Sequence, residues 1–437
     1  MMFLSIPCML PLLLISSTAL VSVTFRPHNR RVRTTLNSAP SAAPMDTLPP
    51  TLNHQFHHLE FYTDSARKKA DWIARILGAD VVDHDNGEGV ALVISNDLRM
   101  LFIDGGVCDG ALGERADKIV EECGDLVVAT VCIQVDDVDE AYKYAVGKGA
   151  TSVTEPVFFN GEGGKFSHLP WSMCNVAEIS LYGKVVLRFI SADCTPSVTT
   201  TPKDVTKSKP KISRIDHVVG NLPSSEYKTT IDRLKSHLSY GEFAEFTAED
   251  VGTDLSGLNS VVLSSETGAV LLPLNEPVNG KKLSQIQTFL DRNNDRAGVQ
   301  HTALITEDIF GVVERMRGLE GLGCEPVEGL EAGVRGCFEL MDRPNESYYD
   351  DLPQRLSGRL TAEQMDRCRE LGILADADPD GVLLQIFTKP LPDRPTFFFE
   401  IIQRVGCEGR PGCGGFGKGN FRALFKAIED YEERLEA

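Results

Sequence analysis

Three side chains in the C-terminal half of this sequence are chemically out of place. The segment PTFFFEIIQRVG, residues 395–406, has the character of a strand. Phe398, Glu400 and Ile402 then share one face, and Phe397, Phe399 and Ile401 the other. Both faces are apolar except at Glu400. A carboxylate buried there needs a cation, dense hydrogen bonding or a proton, because an isolated buried charge is too costly to keep. His217 in RIDHVV and His301 in GVQHTALI stand on apolar strands in the same way. One such histidine is ordinarily a satisfied core residue; three anomalies in one half of the chain require a joint explanation. No local helical motif such as HExxH unites positions as distant as 217, 301 and 400, so they meet only if separate strands line one cavity. Two imidazoles and one carboxylate on one face of a metal leave about three coordination positions open, as in the facial triad of non-haem Fe(II) oxygenases. A structural zinc site would close its fourth position, usually with cysteine. The expected partner of Glu400 is a metal ion, with Fe(II) favoured, one per chain.

The elements that must position these residues form an internal repeat. Each half opens with a short histidine-bearing strand, FHHLEFYT at 56–63 and RIDHVVGNL at 214–222. A helical pattern follows each: Ala66, Ala70, Ile73 and Leu77 with Ser65 as N-cap, then Ile231, Leu234 and Leu238. Later in each half a strand runs into acidic residues and a second helix, in VVATVCIQVDDVDEAYKYAV at 127–146 and GVQHTALITEDIFGVVERM at 298–316. Repetition of this order predicts an α+β protein of βαβββ modules whose curved sheets wrap a cavity. The stretch 191–211, rich in Thr, Ser, Pro and Lys, reads as a linker between domains at 46–190 and 212–437. The first half does not repeat the triad. His58 aligns with His217, but Thr130 stands opposite His301, and Arg188 in the late strand GKVVLRFIS would repel a metal. That half is expected to serve folding or assembly.

Composition narrows the function. The chain of 437 residues carries a net charge of −19 without a basic patch, which argues against a nucleic-acid partner. Eleven cysteines without a CxxC pair suggest reduced thiols in an intracellular compartment. Residues 1–45 read as a targeting presequence: an apolar stretch of signal-peptide length, then an Arg-, Ser- and Thr-rich segment, with no acidic residue before Asp46. This two-part leader, with Phe25 at the junction, resembles the presequences of algae with complex plastids and predicts a plastid location. A secretory signal, or a misassigned start with a cytoplasmic product, are the rival readings. Nothing after the leader could span a membrane, so the mature protein is expected to be soluble.

At the residues singled out above, the sequence resembles the 4-hydroxyphenylpyruvate dioxygenase family, most of all its plant and algal members. The resemblance covers most of residues 50–437. It rests on long blocks, among them SRIDHVVGNLP, LLPLNEPVNGKKLSQIQTFL, GVQHTALITEDIF, ELGILADADPDGVLLQIFTKPLPDRPTFFFEIIQRVG and GCGGFGKGNFRALFKAIEDYEERL. It implies the vicinal-oxygen-chelate fold, with two tandem open-barrel domains and a closing C-terminal lid helix. The family's iron ligands map onto His217, His301 and Glu400. Phe398 and Phe421 match an aromatic pair that sandwiches the substrate ring. Gln285, Gln300 and Gln385 match catalytic-site amides near the phenol and the iron, and Ser260 and Asn275 match residues that orient the 4-hydroxyl. Phe387, Phe416, Asn420 and Leu424 complete the implied lining. The implied reaction takes 4-hydroxyphenylpyruvate and O2 to homogentisate and CO2, in a homodimer or homotetramer. There are departures. Residues 331–352 keep Tyr348 and Tyr349 without the family's proline-rich lead-in, and CEGRPGCGG after the metal strand is shorter than in plant relatives. 4-Hydroxymandelate synthase shares fold, ligands and substrate and is the rival enzyme; a ring-cleaving catechol dioxygenase lacks an evident acid/base here; a non-catalytic binding module of this fold is the non-enzyme reading. GCGGFGKGN nearly fits a phosphate-binding loop, but Gly419 replaces the required hydroxyl and no parallel sheet can follow, so its glycines are read as a sharp turn.

Overall fold

A computed structural model describes residues 54–83, 89–108, 110–161, 165–166, 168–196, 211–252, 256–320, 338–391, 396–407, 410–424 and 426–427. The presequence, most of the linker and residues 428–437 of the expected lid helix lie outside the described residues.

The first half comprises β1 (Gln55–Thr63), β2 (Asp80–Asp83), β3 (Val90–Ser95), β4 (Leu98–Asp104), β5 (Val127–Val135), β6 (Ser152–Phe159), the two-residue β7 (Trp171–Ser172), β8 (Cys174–Tyr182), β9 (Val185–Ser191) and the two-residue β10 (Thr195–Pro196). The second comprises β11 (Ile212–Asn221), β12 (Gly241–Phe246), β13 (Ser256–Ser264), β14 (Leu271–Asn279), β15 (Gly298–Thr306), β16 (Leu374–Ala377), β17 (Val382–Phe387) and β18 (Phe398–Val405). Two eight-stranded sheets result, ordered β2-β3-β4-β1-β5-β9-β8-β6 and β12-β13-β14-β11-β15-β18-β17-β16. The second order repeats the first strand for strand. In each sheet two βαβββ modules meet across an antiparallel central pair, β1 with β5 and β11 with β15.

Helices follow the first strand of each module: α1 (Ala66–Leu77), α3 (Val138–Gly147) and α4 (Ser224–Leu238) among them, with α2 (Gly110–Cys123) between modules. Ala66, Ala70, Ile73 and Leu77 of α1 are fully buried, as the apolar spacing requires, and Ile231, Leu234 and Leu238 of α4 are buried likewise. Each fully buried Leu or Ile contributes about 1.5–3 kcal/mol. Ser65 does not cap α1 with its side chain. The helix ends at Gly78 with φ 68, where a Cβ would stand 2.7 Å from the Arg315 guanidinium. The core runs through both halves: α3 packs on α4, and Ser95 Oγ donates to Ile212 O at 2.8 Å.

The cysteines depart from the expectation of reduced thiols. Cys174 bonds Cys194 and Cys407 bonds Cys413, while Cys132 and Cys368 remain thiols. The bonded partners are brought together by neighbouring strands and by one tight loop, which spacing alone does not reveal.

Candidate metal centre

β11, β15 and β18 lie side by side, and their register assembles the centre. His217 pairs with Ala303, and Ala303 pairs with Glu400. Cross-strand partners face the same way, and His301 is two residues from Ala303, so all three side chains reach one face. One donor atom from each lies within 4.8 Å of the others. Glu400 Oε2 is 3.2 Å from His217 Nε2 and 3.5 Å from His301 Nε2. Burial pushes the Glu400 carboxyl up, but hydrogen bonds from the two imidazoles outweigh it and hold the group at about 2. Burial lowers His217, yet Asp216 and Glu400 together raise it to about 9. His301 is lowered by burial, with Glu400 opposing. The centre therefore draws positive charge toward Glu400, which contacts the two imidazoles and the Gln385 amide. Two imidazoles and an ionised carboxylate on one face fit a non-haem Fe(II) ion.

Each ligand is held from behind. Asp216 accepts from His217 Nδ1 at 3.0 Å, which leaves Nε2 for the centre. Arg404 grips Asp216 through Nε at 3.1 Å and Nη2 at 2.7 Å. Gln300 meets His301 Nδ1 at 3.1 Å. Gln385 Nε2 donates to Glu400 Oε1 at 2.9 Å, and its own Oε1 accepts from Asn420 Nδ2 at 2.9 Å. Asn420 Oδ1 in turn accepts from Tyr348 Oη at 2.7 Å and Arg355 Nη2 at 3.0 Å. The chain of donors fixes which way both amides point. Gly417, at φ 72, passes so close that a Cβ there would collide with Gln385 Oε1.

A small cavity of about 60 Å³ opens onto the centre. By volume it has room for roughly four waters. Ser260, Asn275, Gln385, Phe387, Phe416, Asn420, Phe421 and Leu424 line it beside the three ligands. Ser260 and Asn275 are cross-strand partners, and Asn275 is four residues along β14 from Leu271, the partner of His217. At about 3.3 Å per residue that separation is about 13 Å from His217, while Val219, two residues from Asn221, pairs with His301, so the two polar residues stand about 7 Å beyond His301 along the strands. Three expected site residues do not line it. Phe398 stacks on His301 at 4.6 Å and supports the ligand ring. Gln300 turns to His301 Nδ1, and Gln285 opens the helix Gln285–Arg292, half-buried. Strand alternation leads from expected site residues to lining residues that sequence reading missed: Val219 follows His217 by two, Val262 follows Ser260 and Pro273 precedes Asn275. Phe246 and Gly417, also in the lining, carry no such signal.

No protein-family model matches the chain. Curated relatives do. It is 41% identical over 419 residues to 4-hydroxyphenylpyruvate dioxygenase of Plectranthus scutellarioides, covering 88% of this chain and 90% of that one. The enzyme of Arabidopsis thaliana is 38% identical over 431 residues, with 88% and 89% covered, and that of Sus scrofa is 33% identical over 388 residues, with 86% and 91% covered. The chain belongs to the 4-hydroxyphenylpyruvate dioxygenase family. Among solved structures, a triple variant of 4-hydroxymandelate synthase from Streptomyces coelicolor superposes with a TM-score of 0.67 at 23% identity, covering 88% of this chain and all of that one. That likeness fixes the fold, the tandem vicinal-oxygen-chelate architecture.

The first half of this dioxygenase-family chain shows how the same frame is filled without the triad. His58 pairs with Cys132 and Cys132 with Arg188, as His217 pairs with Ala303 and Ala303 with Glu400. Thr130 faces Glu60 where His301 faces Val219. Arg188 therefore occupies the place of Glu400. It is fully buried between Glu60, which it contacts through both Nη atoms, and Glu178, at 2.8 Å from Nη2. His168 and Lys165 complete the network on Glu60 and Glu178.

Proposed function

We propose that this chain is an Fe(II)-dependent dioxygenase that converts 4-hydroxyphenylpyruvate and O2 to homogentisate and CO2. The observation that carries the reading is the meeting of His217, His301 and Glu400 in one cavity, in a chain 41% identical to a curated dioxygenase of that name. These three residues would hold one iron. The bound ion supplies a seat for the 2-oxo acid and the redox chemistry of O2.

The chain's own residues supply orientation and dryness. Asp216 keeps His217 Nε2 free for the ion, and Gln385 occupies Glu400 Oε1, leaving Oε2, the oxygen nearest both imidazoles. Ser260 and Asn275, beyond His301 along the strands, orient the 4-hydroxyl, and Asn275 Nδ2 is itself fixed on Asn221 Oδ1 at 3.1 Å. Phe387, Phe416 and Phe421 enclose the ring and exclude water. Phe398 acts through His301. A cavity with room for only a few waters must widen for an aromatic acid. Phe421 and Leu424, at the start of the C-terminal segment, form one wall of it, and this reading takes that segment as a lid. Gln300 steadies His301, and Gln285, at the start of the helix Gln285–Arg292, keeps its expected role as an amide near the substrate.

The same reading takes residues 1–45 as the leader, 46–190 as a non-catalytic domain, 191–211 as a linker and 212–437 as the catalytic domain. It places the mature protein in a plastid as a homodimer or homotetramer. Among the described residues no helix is long and apolar enough to cross a membrane. The deciding experiment expresses residues 46–437, adds Fe(II), ascorbate and 4-hydroxyphenylpyruvate, and separates the products. Homogentisate with equimolar O2 uptake is expected. 4-Hydroxymandelate would move the function to the synthase, and iron binding without O2 uptake would refute the substrate.

A further inference from the structure

The first half holds a second group of metal-ligating side chains that the reaction does not use. His57 and His58 are consecutive on β1, where strand alternation sends neighbours to opposite faces. A register shift between Phe56 and His58 breaks that alternation, and the two Nδ1 atoms meet at 2.7 Å. Cys132 is the cross-strand partner of His58 on β5. One ligand atom from each of the three lies within 4.8 Å of the others, and all three residues are buried. Trp171 covers both rings, its centroid 4.7 Å and 4.6 Å from theirs.

The surroundings are those of a ligating imidazole. An imidazole that ligates through Nδ1 presents Nε2–H on its far side, where metal sites commonly place a carboxylate. His58 Nε2 is buried without a hydrogen-bond partner and lies 3.6 Å from Glu60 Oε1.

Charge selects the ion. Beside the cluster, Glu60 and Glu178 are matched by Arg188 and Lys165, and Arg99 adds a further positive charge that acts on His57. A divalent ion with one thiolate would add a net positive charge next to the buried Arg188. A soft monovalent ion with one thiolate and two imidazoles adds no net charge and suits a sulfur ligand.

We propose that His57, His58 and Cys132 form a three-coordinate Cu(I) site in the non-catalytic half. Binding forms one Cu–S and two Cu–N bonds. The Cys132 thiol proton leaves to solvent, and the proton between the two Nδ1 atoms moves to the far nitrogen of its ring, so one proton is released per ion and no electron is transferred. Bonds of about 2.0 Å at about 120° set the nitrogens about 3.5 Å apart, so the rings part by less than an ångström.

The test uses the full mature chain carrying His301→Ala, which removes the catalytic centre as a competitor. Cu(I) is supplied on a coloured chelator, and its withdrawal is followed with proton release. One Cu(I) per chain and one proton per ion are expected. Adding Cys132→Ser, or separately His57→Ala, weakens binding about 100-fold, while circular dichroism confirms the fold. Failure of the parent to draw Cu(I) from the chelator, or an affinity unchanged by Cys132→Ser, overturns the site. Zn(II) held as tightly as Cu(I) overturns the charge argument.

Discussion

Replacing Arg404 with methionine separates the metal centre from the turn behind it. The guanidinium forms a fork on Asp216, at 3.1 and 2.7 Å, and its Nη1 donates to Cys413 O at 2.6 Å and Gly415 O at 2.8 Å. It also lies 5.8 Å over Phe416, which meets His217 edge-on at 5.2 Å. One residue thus holds the aim of a metal ligand and the seat of the glycine-rich turn. Both partners of the ion pair are almost fully buried, at 4% and 1% side-chain exposure. Methionine keeps the apolar stem on Phe416 but leaves Asp216 as a buried carboxylate without its cation, which costs about 3–5 kcal/mol. It also frees Asp216 to rotate away from His217 Nδ1, and loss of such a partner weakens metal binding about 10–100-fold, or about 1.4–2.7 kcal/mol. Two measurements are needed on the apoprotein: urea unfolding, and Fe(II) or Co(II) titration well inside the folded range. Arg404→Lys keeps the charge without the fork and should recover more stability than metal affinity. Adding Asp216→Asn to Arg404→Met should restore stability, since the orphaned charge is gone, but not affinity. If Arg404→Met loses stability while metal affinity stays at the parent value, Asp216 does not aim His217 and the reasoning fails.

Two further outcomes follow from particular contacts. Gly417→Ala forces a Cβ into Gln385 Oε1 at a positive φ, so it should cost about 1–3 kcal/mol and lower kcat/KM through the displaced Gln385–Glu400 bond; full activity would show that the turn can shift freely. Acid should destabilise the apoprotein before its carboxylates titrate. His54 and His58 are lowered by burial from 6.5 to about 4, so below pH 6.5 the unfolded chain binds protons that the folded chain refuses, and each residue removes up to about 3 kcal/mol as pH falls toward 4. His217, raised to about 9, works the other way only above pH 6.5 and does not mask the trend. Unfolding midpoints that stay flat between pH 6.5 and 4.5 would refute this.

Much of the frame was legible because strands and amphipathic helices write their period into the chain. The repeated order of modules, the buried face of α1 and the strands carrying His217, His301 and Glu400 all follow from periods of two and 3.6. What escaped depends on register, which no local pattern contains. Phe398 shares the face of Glu400 as its alternation requires, but that its cross-strand partner is His301, on which its ring stacks, is written in no local pattern. Asp216 beside His217 and Arg404 beyond Glu400 were in plain view, but nothing in their spacing shows that they meet. The disulfides Cys174–Cys194 and Cys407–Cys413 were missed for the same reason. Arg188 was read as hostile to a metal; the carboxylates of Glu60 and Glu178 that make its burial tolerable were not seen.

That last pair explains why one frame has two fillings. A buried charge must be answered within a few ångströms. In the first half the answer is internal: Arg188 carries the positive charge, and Glu60 and Glu178, both held in the ionised form against the cost of burial, surround it. In the second half the charge at the equivalent strand position is reversed. Glu400 faces two imidazoles that can ligate but carry no permanent charge, and the nearby arginine, Arg404, is already committed to Asp216. A carboxylate so placed is satisfied by a proton on His217 or by a cation brought from outside. Only the cation leaves both imidazoles neutral and the remaining coordination positions directed into the cavity. The reversal of sign between Arg188 and Glu400, together with His301 in the place of Thr130, makes one repeat a closed ion pair and leaves in the other a carboxylate that a proton on His217 or a cation can satisfy.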